Sequence, residues 1–311
     1  MIRWISVFTI IMAISAIFSM DVFAAPKIKV VTTTTDLKSL VEAIGKDRVE
    51  VTSIAKGYQD PHFVEAKPSD MIKLKNADMF VKVGLDLEIW SQLLIDGSRN
   101  EKIFPGRVGH VDASVGARLL QIPEMKLDRS MGDIHLFGNP HYWLNPSNGE
   151  VILENISRSL EQVSPADSEY FRKNKDEYIK EIDNSISRWV KDMEPYKGTK
   201  VVTYHNSWPN FAEAFGLEVV GYVEPKPGIP SPPTHIASLI ELIKREKVNI
   251  IIVEPYFSEK LPNLIANSTG SRVLILPPSV GGVKGVDTYI GLFDYNISKL
   301  VEALGETGGK K

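Results

Sequence analysis

The sequence contains no cysteine, and this absence removes several classes of chemistry. A chain without thiols forms no disulfide, no thiolate zinc site and no cysteine nucleophile. The chain also lacks a large excess of charge of either sign. Its 36 basic and 39 acidic residues leave a formal net charge of −3, so no nucleic-acid partner is indicated. The 311 residues are enough for two domains of ordinary size.

The sequence has one apolar run that is nearly as long as a membrane-spanning helix, and this run lies at the N-terminus. Arg3 precedes an apolar stretch from Trp4 to Met20, and Val22-Phe23-Ala24 offers a small-residue cleavage site. The alternative is an uncleaved anchor, but the run is short for a spanning helix, which needs about 20 residues. We interpret residues 1–24 as a cleaved signal peptide. We expect a periplasmic protein that is not a lipoprotein, because a lipid-anchored export signal needs a cysteine.

Strand and helix patterns alternate along the rest of the chain. β-branched or apolar runs read as buried strands, and apolar residues at helical spacing separate them. The alternation predicts an α/β fold with two lobes, each a mostly parallel sheet flanked by helices. The predicted strands are 27–35, 49–55, 79–84, 200–205, 217–223, 248–255 and 272–278, and the predicted helices are 36–45, 67–78, 207–216, 235–247 and 288–304.

A charged helical segment, residues 148–198, separates the two halves. It contains one break signal, where Pro165 is suited to the first position of a helix capped by Ser164. From Pro165 to Met193 such a helix has about 29 residues and a length of roughly 43 Å, which exceeds either lobe. We therefore predict one long helix that joins the lobes. The predicted division is an N-terminal lobe at 25–163, the linking helix at 164–196 and a C-terminal lobe at 197–311.

Three histidines occupy comparable places in this pattern. His62 lies just past the second predicted strand, His205 ends the strand "KVVTYH", and His141 lies in the proline-bounded bend "NPHYWLNP". Ligand sites of open α/β sheets form beyond the carboxyl ends of the strands. Three imidazoles that converged there would suit zinc. The alternative is three unrelated loop histidines, and the separations along the chain are too long to decide between the two.

A family resemblance covers nearly all of the chain after the signal. The segments "DPHFVEAKPSD", "NPHYWLNP" and "TYHNSWPNFAEAFGL" resemble the signature segments of the zinc/manganese-binding solute receptors of ABC importers, in the same order. The resemblance implies two α/β lobes bridged by a long helix, with His62, His141 and His205 at the metal-ligand positions. In that family a histidine at the third position goes with zinc and a glutamate with manganese, in agreement with the donor preferences of the two ions.

The chain departs from the family pattern at the fourth ligand. The family places an aspartate after the last strand, but "LILPPSVGG" puts Pro277 there, and proline has no side-chain donor. The donor could instead be Glu254 at the end of "IIIVEP", Asp287 in the following glycine-rich stretch, or water. Of the remaining polar residues, Asp60 is a candidate acceptor that orients His62.

Further residues are expected to play lesser roles. The stretch from His110 to Asn139 holds only two histidines, His110 and His135, so a metal-collecting loop is doubtful there. His235 is interpreted as a capping or surface residue. Trp143 and Trp208 are expected to pack beside the site.

These observations predict an exported, monomeric receptor that captures zinc between its lobes and delivers it to an ABC permease and its ATPase. It is not expected to be an enzyme. A zinc-dependent hydrolase is a competing hypothesis, because three histidines and an open water position also form the ligand set of such enzymes. In that case Glu254 would be the general base. The same scaffold could also serve a receptor for manganese or another divalent metal, or an adhesin.

Overall fold

The computed structural model describes residues 26–123, 135–226 and 228–306. The predicted signal peptide at 1–24 lies outside these described residues. Within them, no helix combines the length and the apolar character that crossing a bilayer requires.

The first lobe contains a parallel four-stranded sheet in the order β2-β1-β3-β4. Val30 in the central strand is paired with Val51 on one side and with Met79 on the other. Such strands are covered by helices on both faces, which explains their continuous apolar character. The strands are β1 (Ile28–Thr32), β2 (Val49–Ser53), β3 (Met79–Lys82) and β4 (His110–Asp112), and the helices are α1 (Thr35–Gly45), α2 (Pro68–Lys75) and α3 (Ser91–Ser98).

The second lobe repeats the arrangement, with the order β6-β5-β7-β8 and parallel pairing throughout. The predicted fold class is confirmed. In both lobes the second strand along the chain lies on one side of the first strand and the third strand lies on the other. The order of the strands therefore reverses beside the first strand, and ligand crevices open at such points. The strands are β5 (Lys200–Thr203), β6 (Glu218–Tyr222), β7 (Ile250–Val253) and β8 (Arg272–Ile275), and the helices are α6 (Pro209–Phe215), α7 (Pro233–Glu246), α8 (Lys260–Thr269) and α9 (Tyr289–Glu306).

In the sequence, two long helices follow the strands of the first sheet and precede those of the second. They are α4 (Pro146–Val163) and α5 (Ser168–Met193). The second has 26 residues and is the predicted long helix, but it begins three residues later than expected. The Ser164 hydroxyl donates to the Asp167 carboxylate at 2.8 Å instead of capping the helix. Residues 165–167 therefore form a tight 3₁₀ turn. The lobe boundaries placed at 163 and 197 stay predictions.

The two lobes share one apolar core. The largest buried cluster joins residues of both sheets, such as Val30 and Ile250, with Phe171 and Trp189 of α5 and Phe293 of α9. Since burial contributes roughly 25 cal/mol per Å² of apolar surface, separating the lobes would expose part of this cluster at considerable cost. The shared core limits how far the lobes move apart.

The loop after β8 is fastened to the first lobe by three contacts. The Thr35 hydroxyl donates to the Val280 carbonyl at 2.6 Å, and the Val280 N–H donates to the Asp36 carboxylate at 2.9 Å. Gly57 approaches the same loop so closely that a Cβ built on it would lie 2.0 Å from the Val280 carbonyl oxygen. A side chain at position 57 is therefore incompatible with this docking.

We expect Gly57→Ala to lower the free energy of unfolding by about 1–3 kcal/mol, the usual cost of overpacking, because the loop must move away from the first lobe. Urea unfolding of the chelator-treated protein measures the change. Gly305→Ala is the control, since its new Cβ meets the Tyr196 hydroxyl at an ordinary 3.5 Å. An unchanged stability of Gly57→Ala would contradict the close approach.

Candidate metal site

The three predicted histidines converge between the lobes. The ring centroids of His62 and His141 lie 5.1 Å apart, those of His62 and His205 5.2 Å, and those of His141 and His205 5.5 Å. One ring nitrogen from each residue lies within 4.8 Å of the other two. Tetrahedral zinc with imidazole ligands needs nitrogen–nitrogen separations of roughly 3.3 Å, so the rings need to close by at most about 1.5 Å.

The first two histidines are held by the same local structure. In Asp60-Pro61-His62, one carboxylate oxygen accepts from the His62 backbone N–H at 3.0 Å and bonds its ring Nδ1 at 2.7 Å. In Asn139-Pro140-His141, the amide oxygen makes the same pair of contacts at 3.0 and 3.1 Å. This Asx turn fixes the backbone and the ring together. The expected contact of Asp60 is confirmed. That of Asn139 was missed, although the repeated Asx-Pro-His pattern signals it.

His205 is held by a residue distant in sequence. Its Nδ1 lies 2.6 Å from a carboxylate oxygen of Glu224, just beyond β6. The parallel pairing of β5 with β6 brings the two strand ends together. Sequence reasoning missed Glu224, because only the strand order reveals this neighbour.

The turn that carries His141 is anchored to both lobes. The Tyr142 hydroxyl donates to the Val83 carbonyl of the first lobe at 2.8 Å. The Trp143 indole donates to the Pro278 carbonyl of the second lobe at 2.9 Å, and the Tyr289 hydroxyl donates to the Trp143 carbonyl at 2.6 Å. All three aromatic side chains are buried. The position of His141 is thus fixed relative to both sheets.

The remaining ring nitrogens suit a metal ion. The Nε2 atoms of His62 and His141 are buried and have no hydrogen-bond partner. Buried polar atoms are nearly always paired, and an unpaired one calls for a ligand or other explanation. With Nδ1 bound to an oxygen acceptor, Nε2 presents its lone pair, which is the usual arrangement of a histidine ligand. The donor set therefore fits a divalent cation.

The surroundings set different proton affinities for the histidines. Burial, followed by the charge of neighbouring imidazoles, holds the pKa of His141 well below its ordinary value, so this ring is neutral and ready to bind metal. Burial also acts to lower the pKa of His205, but the hydrogen bond that the ring donates to Glu224 and the charges of Glu254, Glu224 and Asp60 outweigh it and raise that pKa. Protons therefore compete with a metal ion more at His205 than at His141.

Glu254, a candidate fourth ligand, is buried near His205 but belongs to a different set of contacts. One carboxylate oxygen accepts from the Ser207 hydroxyl at 2.7 Å and from the Trp208 indole at 3.0 Å. Burial raises the pKa of Glu254 to about 7. Among the described residues, the cluster whose donor atoms lie within 4.8 Å of one another consists of the three histidines without Glu254.

The structure does not bring Asp287 to the site. Asp287 lines a separate cavity together with Glu42 of α1 and Glu177 of α5. The docking of Val280 on the first lobe explains this, because it directs the following residues away from the histidines. At the position of the family aspartate, the Pro277 carbonyl accepts from the Asn296 amide at 2.9 Å, and Pro277 has no side-chain donor to offer.

A fourth imidazole, His135, lies beside the cluster. Its ring centroid is 5.3 Å from that of His62. Burial and the charges of His62 and His205 lower the pKa of His135 to about 4, although hydrogen bonds to the Leu85 and Asp86 carbonyls oppose this. His135 is therefore a neutral neighbour, and it stands outside the group of mutually close donors.

The other residues singled out in the sequence lie apart from the three donor nitrogens or beside them as packing. His110 is in β4 and bonds the Ile103 carbonyl at 2.9 Å. His235, in the first turn of α7, bonds the Tyr222 carbonyl at 3.0 Å. Trp143 packs 5.2 Å from the His141 ring, as predicted, and Trp208 is buried against Glu254.

The family model described as "ZnuA: Zinc-uptake complex component A periplasmic" matches residues 30–303 of this chain. The chain belongs to this family of periplasmic metal-binding proteins of ABC importers. The ZnuA-family fold is also found in a crystal structure of ZnuA, which superposes with a TM-score of 0.74 at 20% identity over 89% of this chain and 99% of that one.

Relatives of this ZnuA-family chain carry names that differ in the metal. The iron-binding protein YfeA of Yersinia pestis is 28% identical over 91% of this chain and 88% of its own. The manganese ABC transporter substrate-binding lipoprotein PsaA of Streptococcus mitis is 26% identical over 92% of each chain. A Mn-bound periplasmic metal-binding protein from Candidatus Liberibacter asiaticus, at 25% identity, superposes with a TM-score of 0.72 over 89% of this chain and 100% of that one. Sequence similarity alone therefore does not decide which metal this chain binds, and the donor atoms of the site have to be considered.

Metal affinity should decrease as the pH is lowered, with a midpoint set by the pKa of His205. Because its pKa is raised, affinity is complete only above that raised value and is lost as the pH falls through it. Glu224→Gln removes the charged acceptor, so the midpoint should move to lower pH, while affinity at high pH falls about tenfold. Competition titrations against a chelator between pH 5 and 9 measure both.

The exposed Glu218 of β6 gives the matched control, and Glu218→Gln should reproduce the wild-type curve. A midpoint that stays in place in Glu224→Gln would show that His205 does not govern the competition with protons.

Proposed function

We propose that this protein captures zinc in the cleft between its lobes and, as a monomer, delivers it to an ABC permease driven by an ATPase. The ligands proposed are the Nε2 atoms of His62, His141 and His205. The observation that carries the proposal is the meeting of these three rings, each tethered through Nδ1, with two buried Nε2 atoms left without partners. Export through a cleaved signal at 1–24 is part of the same proposal.

The donor chemistry supports zinc over manganese. Imidazole nitrogen suits zinc, copper and nickel, whereas carboxylate and water oxygens suit manganese. The three mutually close donors are all nitrogen, and the carboxylates of Asp60 and Glu224 bond to the rings instead. The order of intrinsic affinities does not reject copper, so availability in the cell must add to the selection.

The hydrolase hypothesis finds less support. A general base must reach the metal-bound water within hydrogen-bonding distance. Glu254, the residue considered for that role, has one oxygen bonded to Ser207 and Trp208 and the other buried without a partner. It stands outside the group of mutually close donors, and the family is one of solute receptors. We propose transport without catalysis.

Removing a proposed ligand tests the site. His141→Ala should weaken zinc binding by more than about 100-fold, since even partners outside the coordination sphere contribute about 10–100-fold. His235→Ala removes an imidazole whose bond goes to the Tyr222 carbonyl and should change affinity by less than about threefold. Competition with a fluorescent zinc chelator measures both, and equal losses would refute the site.

The choice of metal is tested at the third position. His205→Glu replaces a nitrogen donor by a carboxylate, so the ratio of zinc affinity to manganese affinity should fall at least tenfold. His205→Gln, which removes the imidazole without adding a charge, should weaken both metals and give no such gain for manganese. A ratio that is the same in wild type and His205→Glu would argue against selection by the donor set.

A further inference from the structure

A cavity of about 440 Å³ adjoins the histidine cluster on one side. Two of the three proposed ligands, His62 and His205, line it, together with the residues Asp60 and Glu224 that hold them. His141 is not among the residues that line it. The cavity is thus the space beside the metal position that the described protein leaves open.

The cavity is larger than a hydrated ion requires. A water molecule takes about 30 Å³, so an ion with six waters occupies roughly 200 Å³, and the available volume is about twice that. It falls within the range of roughly 300–1,000 Å³ that is typical of small-molecule sites. The size points to a metal ion that arrives with an organic ligand.

The wall of the cavity also suits an organic ligand. Tyr204 and Phe257 stack with their ring centroids 4.3 Å apart and an interplanar angle of 17°, and both line the cavity with Leu261. Phe63, 65% exposed, stands on the opposite lobe. A small molecule with an apolar or ring-bearing portion packs against such aromatic and aliphatic side chains.

The coordination chemistry identifies the donor end of that molecule. Three imidazoles leave one tetrahedral position open, and the nearest carboxylates, those of Asp60 and Glu224, bond to the rings instead. Pro277 supplies no donor, and the neighbouring His135, like Glu254 and Asp287, stands outside the donor group. An α-amino acid offers an amine nitrogen and a carboxylate oxygen at one end, which with the three imidazoles make a five-coordinate ion, and a side chain at the other.

We propose that the protein binds its metal as a chelate with a small amino acid, the amino acid supplying its amine nitrogen and one carboxylate oxygen and occupying the cavity beside His62 and His205. When the chelate forms, the ammonium group releases its proton to the solvent, and the amine nitrogen and the carboxylate oxygen replace two waters on the ion. This inference rests on the proposed function, because it concerns what accompanies the zinc.

Equilibrium dialysis with radiolabelled L-histidine tests the inference on the full-length mature protein. We expect about one L-histidine retained per zinc-loaded protein and none by the chelator-treated protein without zinc. Zinc binding is measured in parallel in the absence of any amino acid. Failure to bind zinc would overturn the proposed function, whereas zinc binding without retention of L-histidine, or of labelled glycine in a second arm, would overturn only the chelate.

A cavity-filling variant localises the amino acid. Leu261→Trp places an indole in the cavity and should weaken L-histidine retention at least tenfold while zinc affinity alone changes less than threefold. Leu264→Trp is the matched control on the same helix, since Leu264 is 54% exposed and does not line the cavity, and it should retain L-histidine normally. Equal retention by both variants would show that the amino acid is not in the cavity.

Discussion

Each imidazole at this site uses one ring nitrogen for a bond to the protein, and the rest of the site depends on that constraint. An imidazole free to rotate about its side-chain bonds would lose conformational freedom on binding a metal. Here each Nδ1 donates a hydrogen bond to an oxygen of Asp60, Asn139 or Glu224, which fixes the ring in advance. They also decide which nitrogen remains for the ion, because the bonded nitrogen carries the proton. The cost of ordering the ligands is met when the protein folds.

The two lobes contribute unequally to that order. His62 and His141 receive their acceptors two residues away in the chain, so their geometry is local. His205 depends on Glu224 across the ends of two strands, and hence on the sheet of the second lobe. The anchored turn that follows His141 contacts both lobes. A change in the angle between the lobes would therefore strain or break one of these anchoring bonds, so the turn helps to hold the three rings in one arrangement.

Much of this architecture could be predicted from local patterns, and the remainder depends on contacts between distant residues. Seven strands have apolar runs and the long helix has helical periodicity, so the fold class could be predicted from the sequence. Three short elements were not predicted: β4, with three residues, and α3 and α8, which have polar residues at many positions. The three histidines could be predicted as a group because they end or follow strands or lie in a proline-bounded bend. Glu224 could not be predicted, since its role comes from the pairing of β5 with β6.

The loop after β8 shows why the fourth ligand was hardest to predict. Its sequence shows only that Pro277 lacks a donor, and the nearest carboxylate along the chain, Asp287, is a natural substitute. The structure gives the loop another role: Val280 bonds to α1, and the Pro277 and Pro278 carbonyls accept from Asn296 and Trp143. A segment held at so many points cannot fold back to bring Asp287 to the ion. The same contacts that hold the lobes together thus keep Asp287 away from the histidines, and among the described residues the mutually close donors are the three imidazoles.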